Sequence, residues 1–261
     1  MKTRCAHLGA LLLIVMVGSA LPASALPASA QAPGLERVLF VHYRVRPPGV
    51  GGGPPAVSDT ADTFMWAPKL HWASPTPAIT YRIDSTNSSG LSPSAISWAA
   101  SAGFDTWTLA NGNVTFAAGA PVTLTNDPLA APDGINSISW LSLGPGSGQI
   151  IALTAAWYNP ATKVVSEADT VCNDDLSWSI TPYTPGDPDP TYAGPIDANG
   201  NPTSFDVTDI ATHEFGHWLV LGDLYRPATR LLTMYGYSAE GETYKDTLGT
   251  GDILAIETIY P

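Results

Sequence analysis

The sequence predicts an α+β domain with one mixed or antiparallel sheet, and three observations lead there. Residues Ala78 to Asp84 (AITYRID) alternate apolar and polar side chains, as a half-buried strand does. Ile96, Ala99, Ala100, Phe104 and Trp107 recur at helical spacing. The candidate elements run strand, helix, several strands, helix, helix, an order that groups strands together instead of alternating them with helices.

Taken in order, residues 36–46 (ERVLFVHYRVR) read as a short apolar strand, and the Pro-Pro-Gly-Val-Gly-Gly-Gly-Pro-Pro run at 47–55 reads as a linker. This makes 31–63 a short prosegment or N-terminal arm and 64–261 the main domain. After the 78–84 strand, Ser92 or Ser94 caps a helix reaching about Leu109, and Asn111-Gly112 ends it. Strands follow at Val114 to Ala117, Ile135 to Leu141, Gln149 to Trp157 and Lys163 to Val171, with Asn159-Pro160 turning between the last two. A Pro- and Asp-rich loop spans 181–204. A helix from about Asp206 to Leu221 opens on Asp206-Val-Thr-Asp209, which resembles a capping box. A last helix covers about Asp252 to Ile259.

Before the fold lies a targeting pattern. Lys2 and Arg4 precede the apolar run Leu8 to Leu21, and a doubled LPASA ends at Ala25 and again at Ala30. Basic, apolar and small-residue regions in that order read as a signal peptide over 1–30, which implies export to the extracellular space. The net charge of −12, with only 11 Lys plus Arg, argues against nucleic acid as a partner. No other stretch reads as a membrane span. Cys5 leaves with the signal, so Cys172 has no intramolecular partner and is read as a buried apolar residue. Asn87-Ser-Ser and Asn113-Val-Thr fit the glycosylation sequon. The oligomeric state is left open, with a monomer as the default.

The chemistry-bearing segment is Thr212 to Asp223, THEFGHWLVLGD. On a helix, His213 and His217 stack on one face, close enough to share one ion. Two neutral imidazoles fill two corners of a tetrahedral zinc site. Glu214 flanks them, placed to hold a water without ligating the ion. With 5 His in the chain, His-Glu-x-x-His arises by chance only roughly 0.002 times per chain. A hydrolytic site needs a third protein ligand and one open position. Asp223 is the nearest candidate, since Gly222 lets the chain leave the helix end. His42 and His71 lack ligand spacing and read as ordinary surface or core residues.

HEFGH followed by Gly222-Asp223 resembles the metzincin metallopeptidases, whose long motif is H-E-x-x-H-x-x-G-x-x-H/D. His213, Glu214 and His217 match it, and its third-ligand position falls on Asp223. Leu232-Thr-Met234-Tyr-Gly is similar to the family's methionine turn, which makes Met234 a support beneath the metal. The matrixin-like branch is resembled by Ala78-Ile-Thr-Tyr-Arg-Ile, Phe104-Asp-Thr-Trp with Val114-Thr-Phe, Gly148-Gln-Ile-Ile-Ala-Leu-Thr, Glu167-Ala-Asp-Thr-Val and the segment from Leu248 to Tyr260. This likeness covers about residues 64–261 and resembles secreted bacterial members that use Asp as third ligand. It implies a mixed, mostly parallel twisted sheet of about five strands, a long helix, an active-site helix and a C-terminal helix.

Three departures stand out. Val220 occupies the motif's glycine position, and a helical Val220 would leave Asp223 short of the metal. No prosegment cysteine remains to cap the ion, although Asp59 and Asp62 offer carboxylates. Gly236 stands where many matrixins have Pro.

The resemblance implies a secreted zinc endopeptidase acting on protein or peptide substrates. A metal-activated water is the nucleophile, Glu214 is the general base, and Tyr235 or Tyr237 is a candidate oxyanion donor. The substrate would lie extended beside the 149–157 strand. Asp197-Ala-Asn-Gly-Asn201 has donors for calcium but needs no ion as a bare turn. Glu167 and Asp169 read as structural carboxylates. Two rival readings are carried. One is a catalytically impaired scaffold of the same fold that acts by binding. The other is a glutamate-ligand peptidase using Glu240 or Glu242.

Overall fold

The computed structural model describes residues 34–44, 64–67, 69–73, 78–110, 113–182 and 191–261. The signal segment, the Pro/Gly linker, Asp59, Asp62 and Asn111-Gly112 lie outside these. Among the described residues no helix is long and apolar enough to cross a membrane.

The chain is α+β. In order it forms β1 (Glu36–Arg44), β2 (Met65–Trp66), β3 (Ile79–Ile83), α1 (Pro93–Ala110), β4 (Phe116–Ala118), β5 (Asn136–Leu141), β6 (Ile150–Tyr158) and β7 (Val165–Asn173). There follow β8 (Trp178–Ser179), β9 (Phe205–Asp206), α2 (Val207–Trp218), β10 (Leu221–Gly222), β11 (Tyr237–Ser238) and α3 (Thr250–Ile259). The main sheet has strand order β11-β1-β6-β7-β5-β3-β4. The neighbours β4, β3, β5 and β7 are parallel, β6 is antiparallel to both β7 and β1, and β11 is parallel to β1.

Local signals account for most of this. β3 buries Ile79, Tyr81 and Ile83 and exposes Thr80 and Arg82, as its alternation requires. Ser92 Oγ accepts the Ala95 N–H at the start of α1. Asp206 Oδ1 accepts from the Thr208 and Asp209 N–H groups and so caps α2. Glu167 accepts the N–H groups of Asp133 and Gly134, and Asp169 accepts from Ser137, so both strand carboxylates pin a neighbouring segment as expected. Cys172 is buried, and burial pushes its thiol well above the ordinary value.

Helix α2 is buried along its whole length. It packs on α1, where Phe104 stacks on Phe215 with centroids 3.5 Å apart and Trp107 Nε1 donates to the Thr212 carbonyl. Gly103 and Gly216 permit this approach. A Cβ on Gly216 would lie 2.2 Å from Met234 Sδ and 2.8 Å from the Trp107 ring.

The structure departs from the sequence expectations in three places. The sheet has seven strands instead of about five, because β1 and β11 join it. Residues 36–44, expected in an arm ahead of the domain, lie inside the sheet and pair with β6 from Glu36–Tyr158 to Tyr43–Ile150. Helix α2 ends at Trp218 instead of near Leu221, because Val220 turns left-handed at φ 62°.

Candidate metal centre

The helical repeat brings the His213 and His217 rings to 4.7 Å between centroids, edge to face. Each ring is oriented by a backbone carbonyl. His213 Nδ1 donates to Thr233 O at 2.6 Å, and His217 Nδ1 donates to Leu221 O at 2.8 Å. A carbonyl oxygen only accepts, so both Nδ1 atoms carry the proton and both Nε2 atoms of the neutral rings present a lone pair.

The third member arrives through the turn after α2. Leu219 N–H still reaches Phe215 O and Val220 N–H reaches His217 O, and Val220 then reverses direction. A β-branched residue is strained there, and its neighbours hold it. Ala67 N–H bonds Val220 O, Trp72 Nε1 bonds Trp218 O, and β2 pairs with β10. The reversal places Asp223 Oδ1 3.2 Å from His213 Nε2 and 3.5 Å from His217 Nε2. So the turn that brings Asp223 to the two histidines is made at Val220.

These three atoms are buried and have no hydrogen-bond partner, and together they form a group able to hold a metal ion. Burial takes His213 down to about 4. Burial also opposes charge on His217, but the Asp223 carboxylate, with Glu214 and the Leu221 carbonyl, outweighs it and His217 sits above the ordinary value. Burial opposes charge on Asp223 as well, and the two imidazoles reverse this, holding its carboxyl well below the usual range. With both rings neutral, two imidazole lone pairs and a carboxylate face one another and call for a proton or a metal cation between them, and two nitrogens with one oxygen form a donor set that suits zinc.

Glu214 lies beside this group and is fully buried. Burial lifts its carboxyl to about 7. Its Oε2 accepts from Thr154 Oγ1 at 2.6 Å, and its Oε1 lies 3.0 Å from His42 Nδ1. His42, read from spacing as an ordinary residue, is therefore part of the site. Its ring lies 3.9 Å from that of His213, and its Nε2 lies 2.9 Å from Ser238 Oγ. Lys245 Nζ donates to Ser238 Oγ at 2.6 Å. An ammonium only donates, so the order runs Lys245 to Ser238 to His42 Nε2, and His42 Nδ1–H then faces Glu214. Alternation within 36–44 puts Phe40 and His42 on one face and was the available signal. It could not name a partner so distant in sequence. His71 stays apart, bridging β-fashion to Val164.

Met234 is buried and packs on Gly216 of α2. The tyrosine associated with the Asp223 carboxylate is Tyr225, which sequence reasoning missed. Burial and then Asp223 push its hydroxyl well up. Tyr235 and Tyr237 are half-buried, with ring centroids 5.7 Å apart. Gly236 has a reason to be glycine. A Cβ there would lie 2.7 Å from Asp223 Oδ1 and 2.6 Å from Tyr225. Glu240 pairs with Arg44 and Glu242 with Lys245, so neither joins the histidines, contrary to the glutamate-ligand alternative. Asp197 accepts from Asn199 and Asn201 within its loop.

No family model matches this chain, and no curated protein matches it.

Proposed function

We propose that this chain is a secreted zinc-dependent endopeptidase of the metzincin type, matrixin-like, with its catalytic domain over 64–261. His213, His217 and Asp223 hold the ion and Glu214 is the general base. The observation that carries the reading is the convergence of Nε2, Nε2 and Oδ1, three buried acceptors without partners. Bound zinc supplies Lewis acidity and brings the pKa of a water toward about 7.

The remaining work falls to the protein. Glu214 is placed to take a proton from the attacking water and return it to the leaving amine. Water adds to the carbonyl carbon, the C–N bond breaks, and the proton ends on nitrogen. The carbonyls of Thr233 and Leu221 hold both imidazoles in the ligating tautomer. Met234 packs beneath the helix at Gly216. The substrate is an extended peptide that adds to the edge of β6.

A scaffold that binds metal without hydrolysis is the competing reading, and the complete burial of Glu214 favours it. Metal content is the first test. The full chain should retain one equivalent of zinc through gel filtration and lose thermal stability on chelation. Asp223→Ala should lose the zinc. Glu214→Gln should keep it and lose peptide cleavage by roughly two to four orders of magnitude. A metal-free chain from zinc-replete medium, or undiminished cleavage by Glu214→Gln, overturns the proposal.

A further inference from the structure

The edge of β6 that a peptide substrate would use is already taken. β1 runs antiparallel to β6 over its length, with the register slipping once at His42/Tyr43. On its other side it meets β11 in parallel at Tyr43–Tyr237 and Arg44–Ser238. Tyr43 N–H bonds Gly236 O, and Arg44 N–H bonds Gln149 O, so the strand is clamped between two edges. An extended peptide binding by strand addition would make the same kind of contacts.

The side chains close the site. Phe40 stacks flat on the His217 ring, with centroids 4.2 Å apart and planes 5° from parallel. His42 lies over the His213 ring at 3.9 Å. Each imidazole of the candidate centre thus carries one β1 ring on its face. His42 also engages Glu214 Oε1, the oxygen left over once Thr154 has taken Oε2. With β1 in place, His213, Glu214 and His217 have no exposure at all. In the sequence, β1 is joined to the rest of the domain through residues 45–63, which include the Pro/Gly run at 47–55.

Building on the peptidase reading, we propose that residues 36–44 are an intramolecular inhibitor. β1 fills the peptide groove between β6 and β11, and His42 occupies the general base, so the site opens only when β1 leaves. The device uses a histidine on the base and strand pairing on the groove, with no cysteine or linker carboxylate needed on the metal.

The test uses the full chain carrying Phe40→Lys, which sets a cation against His217. His42→Ala serves as a second variant, which loosens the strand by removing its grip on Glu214. Hydrolysis of a fluorogenic extended peptide is read beside amide exchange of β6, zinc content, and inhibition by a synthetic peptide of residues 36–44. The expected result is faster β6 exchange, unchanged zinc and cleavage raised about tenfold or more in both variants. The added peptide should reverse the gain, and its His42→Ala version should do so less well. Equal cleavage by parent and variants, with β6 exposed, overturns the inhibitor while leaving the peptidase reading intact. Exposed β6 that binds the 36–44 peptide over a zinc-loaded site, with no cleavage in any variant, supports occupation of the groove by β1 and overturns the peptidase reading instead.

Discussion

Thr154 Oγ1 donates to Glu214 Oε2 across 2.6 Å, at the end of a directed chain. Trp218 Nε1 can only donate, so Thr170 Oγ1 accepts from it at 2.9 Å and passes its own proton to Thr154 Oγ1 at 2.7 Å. The indole of α2 and two strand hydroxyls thereby direct a proton at the proposed base.

Thr154→Val removes the last donor of that chain. A hydrogen bond to a charged group contributes about 1.5–3 kcal/mol, and one pKa unit corresponds to about 1.4 kcal/mol. Glu214 already sits at about 7 because of burial. Without the donor its pKa rises further, so its basic form exists only at higher pH. The acid limb of the peptidase pH profile should move up by about one unit, and Thr154→Ser should restore it. An unmoved limb would assign Thr154 a packing role only.

Val220 gives an unusual stability ordering. It is fully buried at φ 62°. Val220→Gly loses the side-chain burial, about 2–3 kcal/mol, and regains about 1–2 kcal/mol of backbone strain. Val220→Ala loses most of the burial and keeps the strain. Urea unfolding should therefore find the Gly variant destabilised by about 1 kcal/mol and no worse than the Ala variant. An Ala variant clearly more stable than the Gly variant would contradict the strain argument.

Asp252 supplies a second pH dependence, through the turn that carries Thr233 and Met234. Burial raises its carboxyl from 3.8 to about 6, in spite of N–H donors from Thr233, Gly249 and Met234. The folded state therefore holds this proton more tightly than the unfolded chain does. Its contribution is full below about pH 4 and is lost as pH rises through about 6. Comparing urea midpoints of the parent and Asp252→Asn between those values, the parent's relative stability should fall as pH rises. A constant difference would mean that Asp252 is ionised throughout.

The parts legible in the sequence were those with local causes. The period of β3, the Asp206 cap of α2 and the one-turn spacing of His213 and His217 all act within a few residues. Asp223 was legible as a candidate, but its arrival depends on Val220 accepting a strained turn that β2 braces from the far end of the domain. The placement of β1 was not legible. Its partners on β6 lie more than a hundred positions away, and alternation specifies a face without a neighbour. Lys245 was missed for the same reason, since its burial becomes tolerable only where Glu242, Ser238 and the Tyr237 carbonyl meet it.

The contact between Met234 and Gly216 bears on how the molecule withstands peroxide. The thioether is sealed beneath α2, and even a single methyl carbon on Gly216 would lie 2.2 Å from the sulfur. A sulfoxide adds an oxygen and a dipole to that sulfur. With α2 in place there is little room for that oxygen on the side of Gly216. Oxidation at this position therefore has to wait for the helix to lift away, and the damage would then resist its return.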